Sequence, residues 1–208
     1  MTSSSGLSGK PLKVAIAGLG FGERVHLPAL RACSGTEPVA LWHPRAERLE
    51  AACRQTGLSG HSDFDALLDD PAVEAVVIAT PPEPRHGLAL RALEAGRHLL
   101  LEKPVALNAD QAEELQRLAM ARGLTVAVDF EYRAVPLFQQ LQALLADGAL
   151  GELVLVKLDW LMGSRADASR PWSWYSQAAA GGGLGIPAPG AGGIGAAAHQ
   201  PVELHQHQ

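Results

Sequence analysis

The sequence predicts an α/β fold, a doubly wound parallel sheet with helices on both faces. Strand-like and helix-like patterns alternate along most of the chain, as βαβ units require. The first apolar run, Lys13–Ala17, drives straight into a glycine-rich turn, Gly18-Leu19-Gly20-Phe21-Gly22, and a helical pattern follows. Gly18 permits a tight turn there, and Gly20 lets backbone approach a pyrophosphate seated on the helix N-terminus. In the usual G-x-G-x-x-G spacing the third glycine would fall on Glu23; here it comes one place early, at Gly22. Gly18, Gly20, Phe21 and Gly22 are therefore the first candidate cofactor-binding residues.

The first strand is expected over about Leu12–Ala17, with a helix from Gly22 to Cys33. A second strand, Pro38–Trp42, precedes a helix over Arg45–Gln55. Asp63 is placed to cap a short helix, Phe64–Leu68. Val73–Ala79 is the clearest buried strand, because nearly every position is apolar. A helix from Pro84 to Ala95 stops at Gly96, and His98–Leu101 forms a fourth strand. Asn108 caps a helix that runs to Arg122 and ends at Gly123, and Leu124–Asp129 is the fifth strand. Beyond it, a helix over Pro136–Asp147 leads through Gly148 and Gly151 into a longer strand, Glu152–Trp160.

With 47% hydrophobic and 19% charged residues, the composition is that of a globular protein rather than a disordered one. The formal charge of −5 provides no basic footprint, so nucleic acid is not an expected partner. An anionic ligand must be held locally, by backbone amides and a few side chains. No apolar run is long enough for a membrane span, and Met1–Lys10 lacks the apolar segment of a signal peptide. Cys33 and Cys53 have no metal-ligand spacing and read as free thiols. A cytoplasmic protein with no metal site is expected. From Gly181 onward the chain is mostly Gly, Ala, Pro, Leu and Ile, so a disordered tail over 184–208 is expected, its three histidines lacking an orienting shell.

Chemistry-bearing residues gather at the carboxyl ends of successive predicted strands, where a doubly wound sheet binds its ligand. They are His43 and Arg45 after the second strand, Ala79-Thr80-Pro81-Pro82 with His86 after the third, Glu102-Lys103-Pro104 after the fourth, and Asp129–Arg133 after the fifth. Each alone has an ordinary explanation: Thr-Pro-Pro ends strands well, Glu-Lys pairs are usually solvated, and a single histidine is more often structural. Their recurrence at strand ends argues for a site.

These motifs, together with Glu94-Ala95-Gly96-Arg97-His98 and Gly148–Glu152, resemble the Gfo/Idh/MocA oxidoreductases over roughly Leu12 to Gly183. The resemblance implies a Rossmann-like domain over 11–130, after a flexible tail over 1–10, and an α+β substrate and dimerisation domain whose truncated start covers 131–183. It implies hydride transfer between NAD(P) and a secondary alcohol of a sugar or cyclitol. Lys103 would hydrogen-bond the reacting hydroxyl and stabilise the alkoxide, its pKa lowered by burial. Glu102 would neighbour the cofactor, and Thr80, Pro81, Pro82 and His86 would line the nucleotide path. The expected partners are thus a nicotinamide dinucleotide and a small polyol or sugar, with a homo-oligomer as a further possibility.

Two departures from the family pattern shape the expectation. Members that use NAD end the second strand in an acidic residue for the ribose hydroxyls; His43 and Arg45 stand there instead, which favours NADP. The family also supplies an aspartate and a histidine after a Gly-Gly segment, whereas Gly181-Gly182-Gly183 is followed by neither. Impaired turnover is the corresponding expectation. The alternative is a non-catalytic nucleotide-binding module or the remnant of a frameshifted dehydrogenase gene. An unrelated doubly wound protein, such as a methyltransferase, leaves Glu102-Lys103-Pro104 unexplained.

Overall fold

β1 (Leu12–Ala17) occupies the middle of a six-stranded parallel sheet because its side chains are buried on both faces. Val14 and Ile16 point to one core and Ala15 and Ala17 to the other, as the two-residue period of a strand requires. In the computed structural model, which describes residues 9–157, the strand order is β3-β2-β1-β4-β5-β6. The other strands are β2 (Thr36–Trp42), β3 (Ser59–His61), β4 (Ala75–Ile78), β5 (His98–Leu101) and β6 (Val126–Val128). α1 (Leu27–Ala32) and α2 (Ala46–Thr56) cover the Val14/Ile16 face, supplying Leu27, Leu49 and Ala52. α3 (Phe64–Leu68), α4 (Pro82–Glu94) and α5 (Ala109–Arg122) cover the other face through Phe64, Leu67, Leu88, Leu93 and Leu115. The fold is the expected Rossmann-like, doubly wound one.

The local signals act as their chemistry dictates. The Asp63 side chain accepts from the Asp65 amide at 3.1 Å, and Asn108 Oδ1 accepts from Gln111 N at 3.0 Å, each capping its helix. Three features differ from expectation. Residues 22–26 form a wide π-type turn before α1, so the expected Gly22–Cys33 helix is not one regular element. β3 was not anticipated: Ser59-Gly60-His61 has no apolar alternation and owes its strand form to pairing with Ala40–Trp42. Residues 152–157 carry no strand, because no ladder partner meets them among the described residues; the remainder of the expected strand to Trp160 lies outside the described residues. So do Gly181–Gly183 and the 184–208 tail.

The chain divides into two compact units, one ending at Asp129 and the other beginning at Phe130. The second contains a 3₁₀ turn (Glu131–Ala134) and α6 (Pro136–Ala146), with Tyr132 edge-on to Phe138. Among the described residues no helix is long and apolar enough to cross a membrane. All the candidate cofactor residues and Lys103 belong to the first unit.

Candidate functional site

The strand order reverses between β1 and β4, and the glycine turn sits at that switch. Gly18 leaves β1 with φ +104° and donates its N–H to Trp42 O at 3.1 Å, tying the turn to the end of β2. A Cβ at Gly18 would lie 2.9 Å from the carbonyl carbon and oxygen of Ala79, so only glycine lets these two strand ends approach. Gly20 has φ +99° and nothing within 4 Å of a would-be Cβ. Its backbone faces open space, as a turn that cradles a phosphate must. At Gly22 a Cβ would meet Ile16 Cγ2 at 2.8 Å and the Ala79 side chain at 3.3 Å. Gly22 thus provides the close helix–strand packing of the usual third glycine, and the wide turn after it takes up the shifted spacing.

At the end of β2, the His43 ring Nδ1 accepts from Arg45 N at 3.0 Å. Burial pushes the imidazole pKa down, and the charges of Arg48 and Arg45 add to the effect. Arg45 is the extended N-cap of α2 and is exposed, one turn before Arg48. Two guanidinium groups therefore flank a helix N-terminus beside a weakly basic imidazole, a suitable setting for a phosphate. Sequence reading had found His43 and Arg45 but not Arg48.

At the end of β4, Thr80 is buried and its hydroxyl has no partner among the described residues. Its amide lies beside Gly18, 3.0 Å from where a Cβ there would be. Pro81 is the N-cap of α4 and Pro82 its buried first residue. His86 is turned elsewhere: Nε2 lies 2.9 Å from Glu114 Oε2 on α5. The structure therefore brings Thr80 to the glycine turn and gives His86 a helix–helix partner.

At the end of β5, Glu102 is 7% exposed and joined to His26, itself 5% exposed, by a 2.8 Å contact from Nε2 to Oε1. Glu102 Oε2 also accepts from Lys103 N at 3.2 Å. Burial alone would raise the Glu102 pKa, but the hydrogen bond and charge of His26, with Lys103, hold it below the ordinary value. Asp129 Oδ2 lies 3.9 Å from His26 Nε2, so the ends of β5 and β6 and the turn after β1 meet in one polar cluster. Lys103 is exposed, which corrects the expected buried lysine: it projects from the turn beyond the strand end rather than from the core. The Lys103–Pro104 bond is cis.

His26 and Arg85 carry the cluster's geometry, yet sequence reading gave neither a role. Arg85 is 2% exposed, on α4. Nη1 donates to Glu102 O at 2.7 Å and to Pro104 O, and Nη2 donates to Thr80 O. Burial lowers its pKa to about 10, with Glu102 opposing, so the group is charged at neutral pH. The only sequence cue was an arginine on the inward face of α4, between Pro82 and Leu88.

Residues 12–130 match the GFO_IDH_MocA model, an oxidoreductase family with an NAD-binding Rossmann fold. An uncharacterised oxidoreductase of Synechocystis sp. is 42% identical over 173 residues, covering 83% of this chain and 47% of its own. Levoglucosan dehydrogenase of Pseudarthrobacter phenanthrenivorans is 28% identical over 179 residues, covering 80% and 45%. Among solved structures, a 3-ketoreductase from Actinomadura kijaniata in complex with NADP and TDP-benzene has a TM-score of 0.65 and 33% identity, over 68% of this chain and 44% of that one. The chain spans about half the length of the curated relatives it matches.

Proposed function

The chain belongs to the Gfo/Idh/MocA oxidoreductase family, and on that premise we propose that it serves hydride transfer between NADP and a secondary alcohol of a sugar or cyclitol. The observation that carries the cofactor half is the glycine turn at the strand-order switch, with Gly20 open and the Thr80 hydroxyl unpartnered beside it. These residues fit a dinucleotide: backbone amides and an orphaned hydroxyl await polar atoms, and no side chain fills the approach. Arg45 and Arg48 favour the 2′-phosphate of NADP over the bare ribose of NAD, because His43 and not a carboxylate follows the end of β2, the next acidic residue along the chain being Glu47 in the first turn of α2.

The cofactor, when bound, supplies the two-electron acceptor or donor for the substrate carbon. Lys103 in its neutral form would accept the proton of the reacting hydroxyl, and the ammonium so formed would hydrogen-bond the alkoxide from which hydride departs; in the reverse direction the ammonium returns that proton to the oxygen. Glu102, held ionised in the polar cluster, fixes the Lys103 backbone from below by accepting its amide. Sugar chemistry for this chain draws its support from the levoglucosan dehydrogenase and 3-ketoreductase relatives. The test is to titrate NADP and NAD into the chain and then assay it against a panel of aldoses, keto sugars and cyclitols. Saturable binding of NADP with weak turnover that vanishes in Lys103→Ala is the expected result; failure to bind either dinucleotide would overturn the proposal.

A further inference from the structure

Arg85 is the largest fully buried side chain among the described residues, and the hydrogen bonds of its Nη1 and Nη2 go only to main-chain oxygens, its Nε having no partner among the described residues. Two of these, Glu102 O and Pro104 O, bracket Lys103; the third, Thr80 O, belongs to the turn after β4. Burying a guanidinium is costly, and carbonyls offset that cost less well than a carboxylate would. A helix packing only for stability would place leucine or methionine there. What the guanidinium offers instead is a rigid planar fork that grips several acceptors at fixed angles, which a lysine ammonium cannot copy.

We infer that Arg85 is the positioning residue for Lys103, locking the main chain on both sides of it against the Thr80–Pro81 turn so that the ammonium is presented at the cofactor cleft. This rests on the reading of Lys103 given above. Arg85 acts through backbone and touches neither substrate nor cofactor in this role. Helix α4 runs from Pro82 to Glu94 and packs through Leu88, Ala89, Ala92 and Leu93, so its place does not depend on Arg85 alone.

The experiment is acetylation of the full chain with sulfo-NHS-acetate at one fixed pH, with Lys103 read by peptide mass spectrometry in ratio to exposed Lys10. Wild type, Arg85→Lys and Arg85→Ala are compared, each with and without saturating NADP, and folding is followed by circular dichroism. Without cofactor, the Lys103/Lys10 ratio should rise by about threefold or more in both variants, because a single ammonium cannot replace the fork. In Arg85→Ala, ethylguanidinium should return it toward wild type. A wild-type ratio in folded Arg85→Lys, or no rescue in folded Arg85→Ala, would overturn the inference. Should Arg85→Ala not fold, Arg85→Lys decides; should both unfold, Arg85 is a core residue and the positioning claim fails. NADP shielding of Lys103 in the wild type tests the underlying reading separately: without shielding that reading fails, while the cofactor-free ratios still judge Arg85.

Discussion

His26 Nε2 lies 2.8 Å from Glu102 Oε1, a buried contact between residues 76 positions apart in the chain. It ties the first turn after the glycine loop to the turn that carries Lys103. The Phe21 ring stands edge-on to His26 at 5.4 Å, so the loop itself is packed against this pair. The glycine turn and the Lys103 turn are therefore linked through one imidazole.

Removing that imidazole should cost stability. In His26→Ala the buried Glu102 carboxylate loses its partner, and the expected destabilisation is about 1–3 kcal/mol in urea unfolding. Glu102→Gln, which removes the charge, should cost less than His26→Ala. An equal or larger loss in Glu102→Gln would show that leaving the buried Glu102 carboxylate without its partner is not the main cost at this corner.

The same pair sets a pH dependence. The folded pKa of Glu102 lies below its ordinary 4.5, so its stabilisation is fully present above 4.5 and fades as pH falls through the folded value. The stability gap between wild type and Glu102→Gln should be fullest above pH 4.5, shrink as pH falls from there toward the folded value, and change no further below it. His26, Lys103 and Asp129 all face this carboxylate, so the comparison must be with Glu102→Gln rather than with theory alone. A gap that widens on acidification would contradict the assignment.

Gly18 and Gly20 should separate folding from binding. Gly18→Ala forces a Cβ to within 2.9 Å of the Ala79 carbonyl and should cost stability. A Cβ at Gly20 would meet nothing within 4 Å apart from its neighbours in the chain, so Gly20→Val has room at that atom. It should leave a folded chain, strained by its positive φ, that no longer binds the dinucleotide. Retained binding in Gly20→Val would make the loop a plain structural turn.

The central strand and the glycine loop were legible in sequence because their signals are local: an apolar run, then glycines where φ must be positive. The caps at Asp63 and Asn108 were legible for the same reason. β3 was not, because Ser59-Gly60-His61 becomes a strand only by pairing with Ala40–Trp42. Arg85 was hidden differently. Its partners are main-chain carbonyls, which every sequence offers, and only the fold selects Thr80, Glu102 and Pro104. The role of Gly22 could be read only once Ile16 and Ala79 were seen against it.

Cofactor choice should depend on the arginines after β2. Arg45→Ala should weaken NADP by about 1.5–3 kcal/mol, the strength of a hydrogen bond to a charged group, and leave NAD nearly unaffected. His43→Asp should push preference toward NAD by placing a carboxylate where the ribose hydroxyls would sit. Fluorescence titration of both dinucleotides into each variant measures this, and an Arg45→Ala chain that still prefers NADP to the wild-type degree would remove Arg45 from the phosphate site.

The central claim is that a dinucleotide lies across the carboxyl ends of β1, β2, β4 and β5. Amide chemical-shift mapping during an NADP titration tests it most directly. The predicted result is saturable shifts at Gly18, Gly20, Gly22, Arg45, Thr80 and Lys103, with Gly35, Glu74 and Arg97 at the opposite strand ends unmoved. Shifts confined to those opposite ends, or none at cofactor concentrations that saturate ordinary dehydrogenases, would contradict it.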